Sequence, residues 1–216
     1  MFTYEARRQE LTEHFRNKPF SCTYNWVSKW ITNEIAKLPP GSKVLELGTF
    51  VGGTTRILAL SNPQIIVHSI DLNEFDNNNH MLEAMRMDRN LPNLVASDLL
   101  EIQRIHTEDC ANIQLHTGHS RSLDINDLSI SFVDASHSQD EIIQDLEYVW
   151  QRTLPNGFIY GDDVNHPNVF NAFSIFAKEK DVELTIYSKC ARIQKTEKVS
   201  PGLRYMGIDD LLTAKF

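Results

Sequence analysis

Between Lys43 and Thr54 the chain reads KVLELGTFVGGT: a short apolar strand with an acid inside it, three glycines within six residues, and the start of a helix. A strand that breaks at once into a bare turn and a helix opens a βα unit, and the same punctuation recurs down the chain. The patterning predicts a strand at Lys43–Leu47, a helix at about Thr54–Leu60, a strand at Ile65–Ile70, and helices at about Asn78 to Asn90 and at Glu101–Asp109. Strands follow at Ile113–His116 and Ile130–Val133. A helix over 140–153 then places Ile142, Ile143, Leu146, Val149 and Trp150 on one face. Pro155-Asn156-Gly157 turns the chain into a strand at Phe158–Tyr160, and a helix spans about 167–180. Closing strands fit Val182–Tyr187 and either Ala191–Lys195 or Leu203–Ile208, with the C-terminal stretch adding a hairpin-like closure. This alternation predicts an α/β fold: a doubly wound, mostly parallel sheet with helices on both faces. Residues 1–38 carry Trp26, Val27, Trp30, Ile31, Ile35 and Leu38 at helical spacing and stop at Pro39-Pro40-Gly41. They read as an N-terminal helical segment, a candidate lid on a domain spanning 39–216.

Sheets of this kind hold their ligands beyond the carboxyl ends of the strands. Glu46-Leu47-Gly48, Asp71, Asp134 and Asp162 all fall at or just after such ends, so they should converge. The loop Gly48-Thr49-Phe50-Val51-Gly52-Gly53 has neither the GxGxxG spacing of a dinucleotide fingerprint nor the GK[ST] of a P-loop. With no Tyr-x-x-x-Lys pair either, a nicotinamide oxidoreductase is disfavoured. A bare turn into a helix start lets backbone N–H groups approach a ligand closely, and Asp71 stands where an acid takes a ribose diol.

Asp134, Asp162 and Asp163 would form a hard oxygen site suited to Mg²⁺, Mn²⁺ or Ca²⁺, because unpaired carboxylates so close together repel. A metal gripping two neighbouring hydroxyls would acidify one of them, and His137, three residues after Asp134, could take the proton as general base. A net charge of −8 disfavours a nucleic-acid backbone as partner. No apolar run reaches the 18 or so residues of a membrane span. Cys22, Cys110 and Cys190 fit no metal or redox spacing, which suits a reduced, cytoplasmic protein.

The run E-x-G-x-x-x-G, with an acid at the end of the next strand, resembles motif I of the class I S-adenosylmethionine-dependent methyltransferases, whose Rossmann-like sheet has about seven strands. The run D-x-x-H…D-L-E…L-P-x-G-x-x-x-x-D-D closely resembles the macrocin O-methyltransferase and sugar O-methyltransferase group (methyltransferase domain family 24), and more distantly catechol O-methyltransferase. The likeness covers roughly residues 40–178. It implies that Gly48, Thr49, Gly52 and Gly53 form the loop under the methionine part of the cofactor and that Asp71 binds the ribose. Glu46 would face the amino-acid end and Thr54 its carboxylate. A residue of Gly118-His119-Ser120, with Ser120 the first choice, would lie at the adenine. Asp134 would border the cofactor and, with Asp162 and Asp163, hold a divalent metal, Mg²⁺ first among candidates. His137 stands where the catechol enzymes have a lysine base, which leans towards a sugar or other aliphatic vicinal diol. His166 and Asn73 are weaker candidates, for acceptor and ribose respectively. The resemblance thus implies an O-methyltransferase using S-adenosylmethionine on a small-molecule acceptor, in a chain that often forms homo-oligomers. A catalytically silent, cofactor-binding accessory protein is the alternative.

Overall fold

The computed structural model describes residues 4–20, 25–75, 77, 80–196 and 202–205. Helices α1 (Tyr4–Phe15) and α2 (Asn25–Ile35) precede β1 (Lys43–Leu47), α3 (Gly53–Ser61), β2 (Ile66–Asp71), α4 (His80–Arg89) and α5 (Ala96–Thr107). There follow β3 (Ile113–Thr117), β4 (Leu128–Val133), α6 (Gln139–Arg152), β5 (Thr153–Gly161), α7 (Pro167–Glu179), β6 (Glu183–Tyr187), β7 (Cys190–Gln194) and β8 (Gly202–Tyr205). The strands form one sheet in the order β3-β2-β1-β4-β5-β7-β6-β8, in which β7 alone runs against the others.

Strand alternation decides which side chains meet which helices. In β1, Leu45 and Leu47 point into a core shared with Leu146 and Val149 of α6 and Phe173 and Phe176 of α7. Val44 points the other way, into a core with Trp30, Ile31 and Ile35 of α2 and Leu58 and Ala59 of α3. By the same alternation Glu46 must face α3, not α6. A third cluster joins Leu11 and Phe15 of α1 to Val51, Leu82, Met85, Leu99, Ile102 and Ile105. Helix α2 therefore shares its core with the sheet, whereas α1 packs on α4, α5 and the glycine loop, and Trp30 is a packing residue, edge-on to Tyr160 and Tyr187. Cys22 and the side chain of Trp26 lie outside the described residues.

Three expectations are corrected. Helix α5 begins at Ala96, five residues before the expected Glu101. Asp98 accepts the Val95 amide at 2.9 Å and pairs with Arg7 of α1 at 2.5 Å, which caps the helix at its start. Strand β5 begins at Thr153, before the expected turn. β4 pairs Leu128 with Thr153 and then Ile130 with Phe158, so Leu154–Gly157 is a bulge, with Asn156 at φ 65°. At the far edge the first alternative is β7, the described part of the second (203–205) lies in β8, and β8 runs parallel to β6 instead of closing a hairpin. Cys110 and Cys190 are free and buried, and among the described residues no helix is long and apolar enough to cross a membrane.

Candidate active site

A cavity of about 520 Å³ opens at the carboxyl ends of β1 to β5, where the strand order reverses on either side of β1. Its wall includes Gly48, Thr49, Gly53, Thr54, Asp71, Gly118, His119, Ser120, Asp134, His137 and Asp163. Of the site residues singled out in the sequence, Glu46, Gly52, Asn73, Asp162 and His166 are not part of this wall.

The glycine loop is shaped by its neighbours. Gly48 has φ 97°, and a Cβ there would lie 2.1 Å from the Asp134 carbonyl oxygen, so only glycine lets β1 and β4 release their chains this close together. The Asp134 amide donates to the Leu47 carbonyl at 2.9 Å and the Gly48 amide to that of Ile70 at 2.9 Å, which ties three strand ends into one platform. Gly52, at φ 74°, is the last residue before α3. Asp71 accepts the amides of Phe50 at 2.8 Å and Asn73 at 2.9 Å, one on each oxygen. It thereby holds the loop, and a carboxylate so engaged still has lone pairs free on both oxygens. Asn73, at φ 58°, also donates to Thr117 at 2.9 Å and accepts from Gln103 at 3.0 Å.

Glu46 is fully buried, with Oε2 accepting the hydroxyls of Ser69, at 2.5 Å, and Thr55. Ser69 in turn lies 2.6 Å from the Thr49 hydroxyl, so the acid braces the loop from beneath. Its Oε1 has no hydrogen-bond partner among the described residues. Burial pushes the carboxyl up to about 7, against the Ser69 and Thr55 hydrogen bonds and with a small push from Asp71. Because the folded value lies above the ordinary one, the fold binds the extra proton, and stability falls as pH rises through this window. Without ligand, Glu46→Gln should remove that slope, so its stability relative to wild type should improve by about 3 kcal/mol between about pH 5 and pH 8. Chemical denaturation at both pH values checks this, and an unchanged difference would count against the raised value.

At the ends of β4 and β5 the three acids do converge. Burial, reinforced by the charges of Asp162, Asp163 and Glu46, raises the Asp134 carboxyl well above its ordinary range. Lys189, in the turn between β6 and β7, extends its ammonium to Asp162 Oδ2 at 2.9 Å and Asp163 Oδ1 at 3.0 Å. Burial opposes the lysine's charge, but the two carboxylates outweigh it and hold it protonated above the ordinary lysine value. Asp163, at φ 56°, turns its other oxygen to within 3.2 Å of His137 Nε2. Burial pushes Asp163 up, yet Lys189 and His137 together bring it below the usual carboxylate range. The His137 ring is exposed and stacks on that of His166, the residue before α7, at 5.3 Å between centroids.

A divalent ion fits this arrangement poorly. Mg²⁺ needs about six oxygen donors at roughly 2.1 Å, whereas Asp162 and Asp163 already share an ammonium. Among the described residues no group of three acids, histidines or cysteines is placed to hold a metal. Of the expected metal trio, Asp162 and Asp163 are thus held together by a cation that the chain supplies, while Asp134 lies near them without meeting it.

Ser120 lines the cavity and donates its hydroxyl to Asp145 Oδ1 at 2.6 Å. Asp145, which also accepts Arg121 at 2.9 Å, was not singled out in the sequence, nor were Phe20, Phe50, Phe75 and Met81 of the cavity wall. The acids Glu141 and Asp145, one turn apart on α6, both meet Arg121. That i, i+4 spacing was the available signal for them.

An open parallel sheet with its cavity at the β1 switch point, a glycine loop and a strand-end acid defines a nucleoside-cofactor α/β protein. A family model described as a methyltransferase domain, family 24, matches residues 45–164, more than half the chain. The chain belongs to this family of class I S-adenosylmethionine-dependent methyltransferases and is an enzyme of methyl transfer. None of the curated proteins matches it significantly. Among solved structures it is similar to cofactor-bound Rv0187 from MTB, at 14% identity and TM-score 0.57 over 90% of each chain. It is also similar to the O-methyltransferase from Bacillus cereus in complex with SAH, at 14% identity and TM-score 0.54, covering 88% of this chain and 89% of that one. The O-methyltransferase NovP matches at 14% identity and TM-score 0.54, over 88% of this chain and 80% of its own. At such identity these likenesses establish the fold.

Proposed function

We propose that the protein moves the methyl group of S-adenosylmethionine to a hydroxyl of a small acceptor, a sugar or another vicinal diol, with His137 as general base. The observation that carries this reading is His137 in the cavity wall beside Asp134, with Asp163 3.2 Å from its Nε2. A carboxylate at Nε2 favours the tautomer whose Nδ1 is free to accept a proton and stabilises the imidazolium that results. Nδ1 takes the proton of the acceptor hydroxyl as the oxygen attacks the sulfonium methyl in line. The methyl–sulfur bond breaks, and S-adenosylhomocysteine leaves without the sulfonium charge.

In this reading Gly48, Thr49, Gly53 and Thr54 cradle the methionine end, Gly52 shapes the turn, and Glu46 supports the loop through Thr55 and Ser69. Asp71 takes the ribose hydroxyls, and the Gly118–Ser120 turn, by its backbone, meets the adenine. The divalent metal expected from the sequence has no step here, since Lys189 already stands against two of its three ligands. Phe20, which follows α1, lies in the cavity wall, so the N-terminal segment borders the acceptor space as a lid would. The net charge of −8 supports a small acceptor over a phosphate backbone.

The test is incubation with methyl-labelled S-adenosylmethionine and a panel of sugars, catechols, amines and RNA. A methyl ether on a vicinal diol is the expected product. Label found only on nitrogen or on RNA contradicts the proposal.

A further inference from the structure

We infer that Lys189 is the resident cation of this site: its ammonium spans Asp162 and Asp163 where this family resemblance leads one to expect a divalent metal, and it positions Asp163 to orient His137. The inference rests on the methyltransferase reading and extends it by assigning the neutralising charge to the chain itself. Three observations support it. The ammonium lies 2.9 Å from one carboxylate and 3.0 Å from the other, bridging two residues.

The backbone places it there as well. Ser188 adopts φ 55°, which turns β6 into β7, and the Lys189 carbonyl accepts the Val164 amide at 2.9 Å. The turn is therefore fastened to the segment just after the acid pair, and the lysine is held from both ends.

The third observation is the sharing of Asp163. One oxygen takes Lys189 and the other faces His137. A carboxylate tethered on one side presents a fixed acceptor on the other, which is the condition for holding an imidazole in one orientation. A metal between Asp162 and Asp163 would have to displace the ammonium or sit against its like charge. Lys189 is thus a positioning residue for His137 and a barrier to divalent ions.

The experiment titrates Mn²⁺ into the protein saturated with S-adenosylhomocysteine and reads the free-ion spin-resonance signal, for wild type, Lys189→Ala and Lys189→Arg. The expected result is no Mn²⁺ uptake by wild type or Lys189→Arg at millimolar ion, and uptake of one ion by Lys189→Ala, in which Asp162 and Asp163 have lost the ammonium between them. Stoichiometric uptake by wild type overturns the inference, and so does no uptake by either wild type or Lys189→Ala. Lys189→Gln, which keeps most of the side chain's bulk, makes the same comparison if the alanine variant does not fold. Binding of S-adenosylhomocysteine, measured first, separates the two levels. Its absence from folded wild type sinks the methyltransferase reading, whereas its presence with Mn²⁺ uptake by wild type sinks only the role of Lys189.

Discussion

Replacing His137 by alanine is expected to lower kcat by about 10²–10⁴-fold, the usual contribution of a positioned general base. Affinity for S-adenosylhomocysteine should stay near that of wild type, because the ring is exposed at the cavity wall and is assigned to the acceptor, not to the cofactor. The split follows from what the imidazole would contact: the acceptor hydroxyl in the transition state and no part of the cofactor's binding platform. Asp163 and His166 hold the ring from two sides, so the alanine variant should fold as well as wild type, at the cost of one exposed stack. Steady-state kinetics on the acceptor found in the labelling panel, with calorimetry on the product complex, give the two readings. A variant that keeps its kcat would remove His137 from the chemistry and leave the alkoxide to arise by another route.

Gly48→Ala should damage both the fold and the cofactor loop. The new Cβ would lie 2.1 Å from the Asp134 carbonyl oxygen and 2.7 Å from its carbon, both backbone atoms that cannot rotate away. The residue would also keep φ 97°, which alanine tolerates poorly, and strain of this kind costs about 1–3 kcal/mol. Relieving the overlap requires β1 and β4 to part at their ends, for roughly another 1–3 kcal/mol. The same movement shifts Asp134 and the loop amides, so affinity for S-adenosylhomocysteine should fall about 100-fold, equivalent to about 2.7 kcal/mol. Denaturation and calorimetry on the variant read both effects. Unaltered stability and affinity would mean that the loop is neither as tight nor as close to the ligand as argued.

How much of this was legible beforehand varies with the range of the contacts involved. The βα punctuation of KVLELGTFVGGT located β1 to the residue and the start of α3 within one, because strand period, glycines and helix start are all local signals. The strand-end acids Asp71, Asp134 and Asp162 were legible for the same reason. Glu46 was recognised as an odd acid, but its partners Thr55 and Ser69 come from α3 and the neighbouring strand, and only the sheet register brings them to it. Lys189 was not legible at all. It reaches the acids because β7 is inserted out of sequence order between β5 and β6, and nothing near it in the chain marks it. Carboxylates read without their lysine suggested a metal. Read with it, they suggest an internal ion pair. The early start of α5 was missed likewise, since its cap Asp98 takes its meaning from Arg7, ninety-one residues away.

The most direct test of the central claim is calorimetric titration of S-adenosylhomocysteine into wild type and Asp71→Ala. Wild type should bind one equivalent in the micromolar range, roughly −8 kcal/mol. The variant loses both the ribose acceptor and the brace on the Phe50 and Asn73 amides, and should show no saturable heat. No binding by well-folded wild type, or equal binding by Asp71→Ala, would contradict the placement of the cofactor in this cavity.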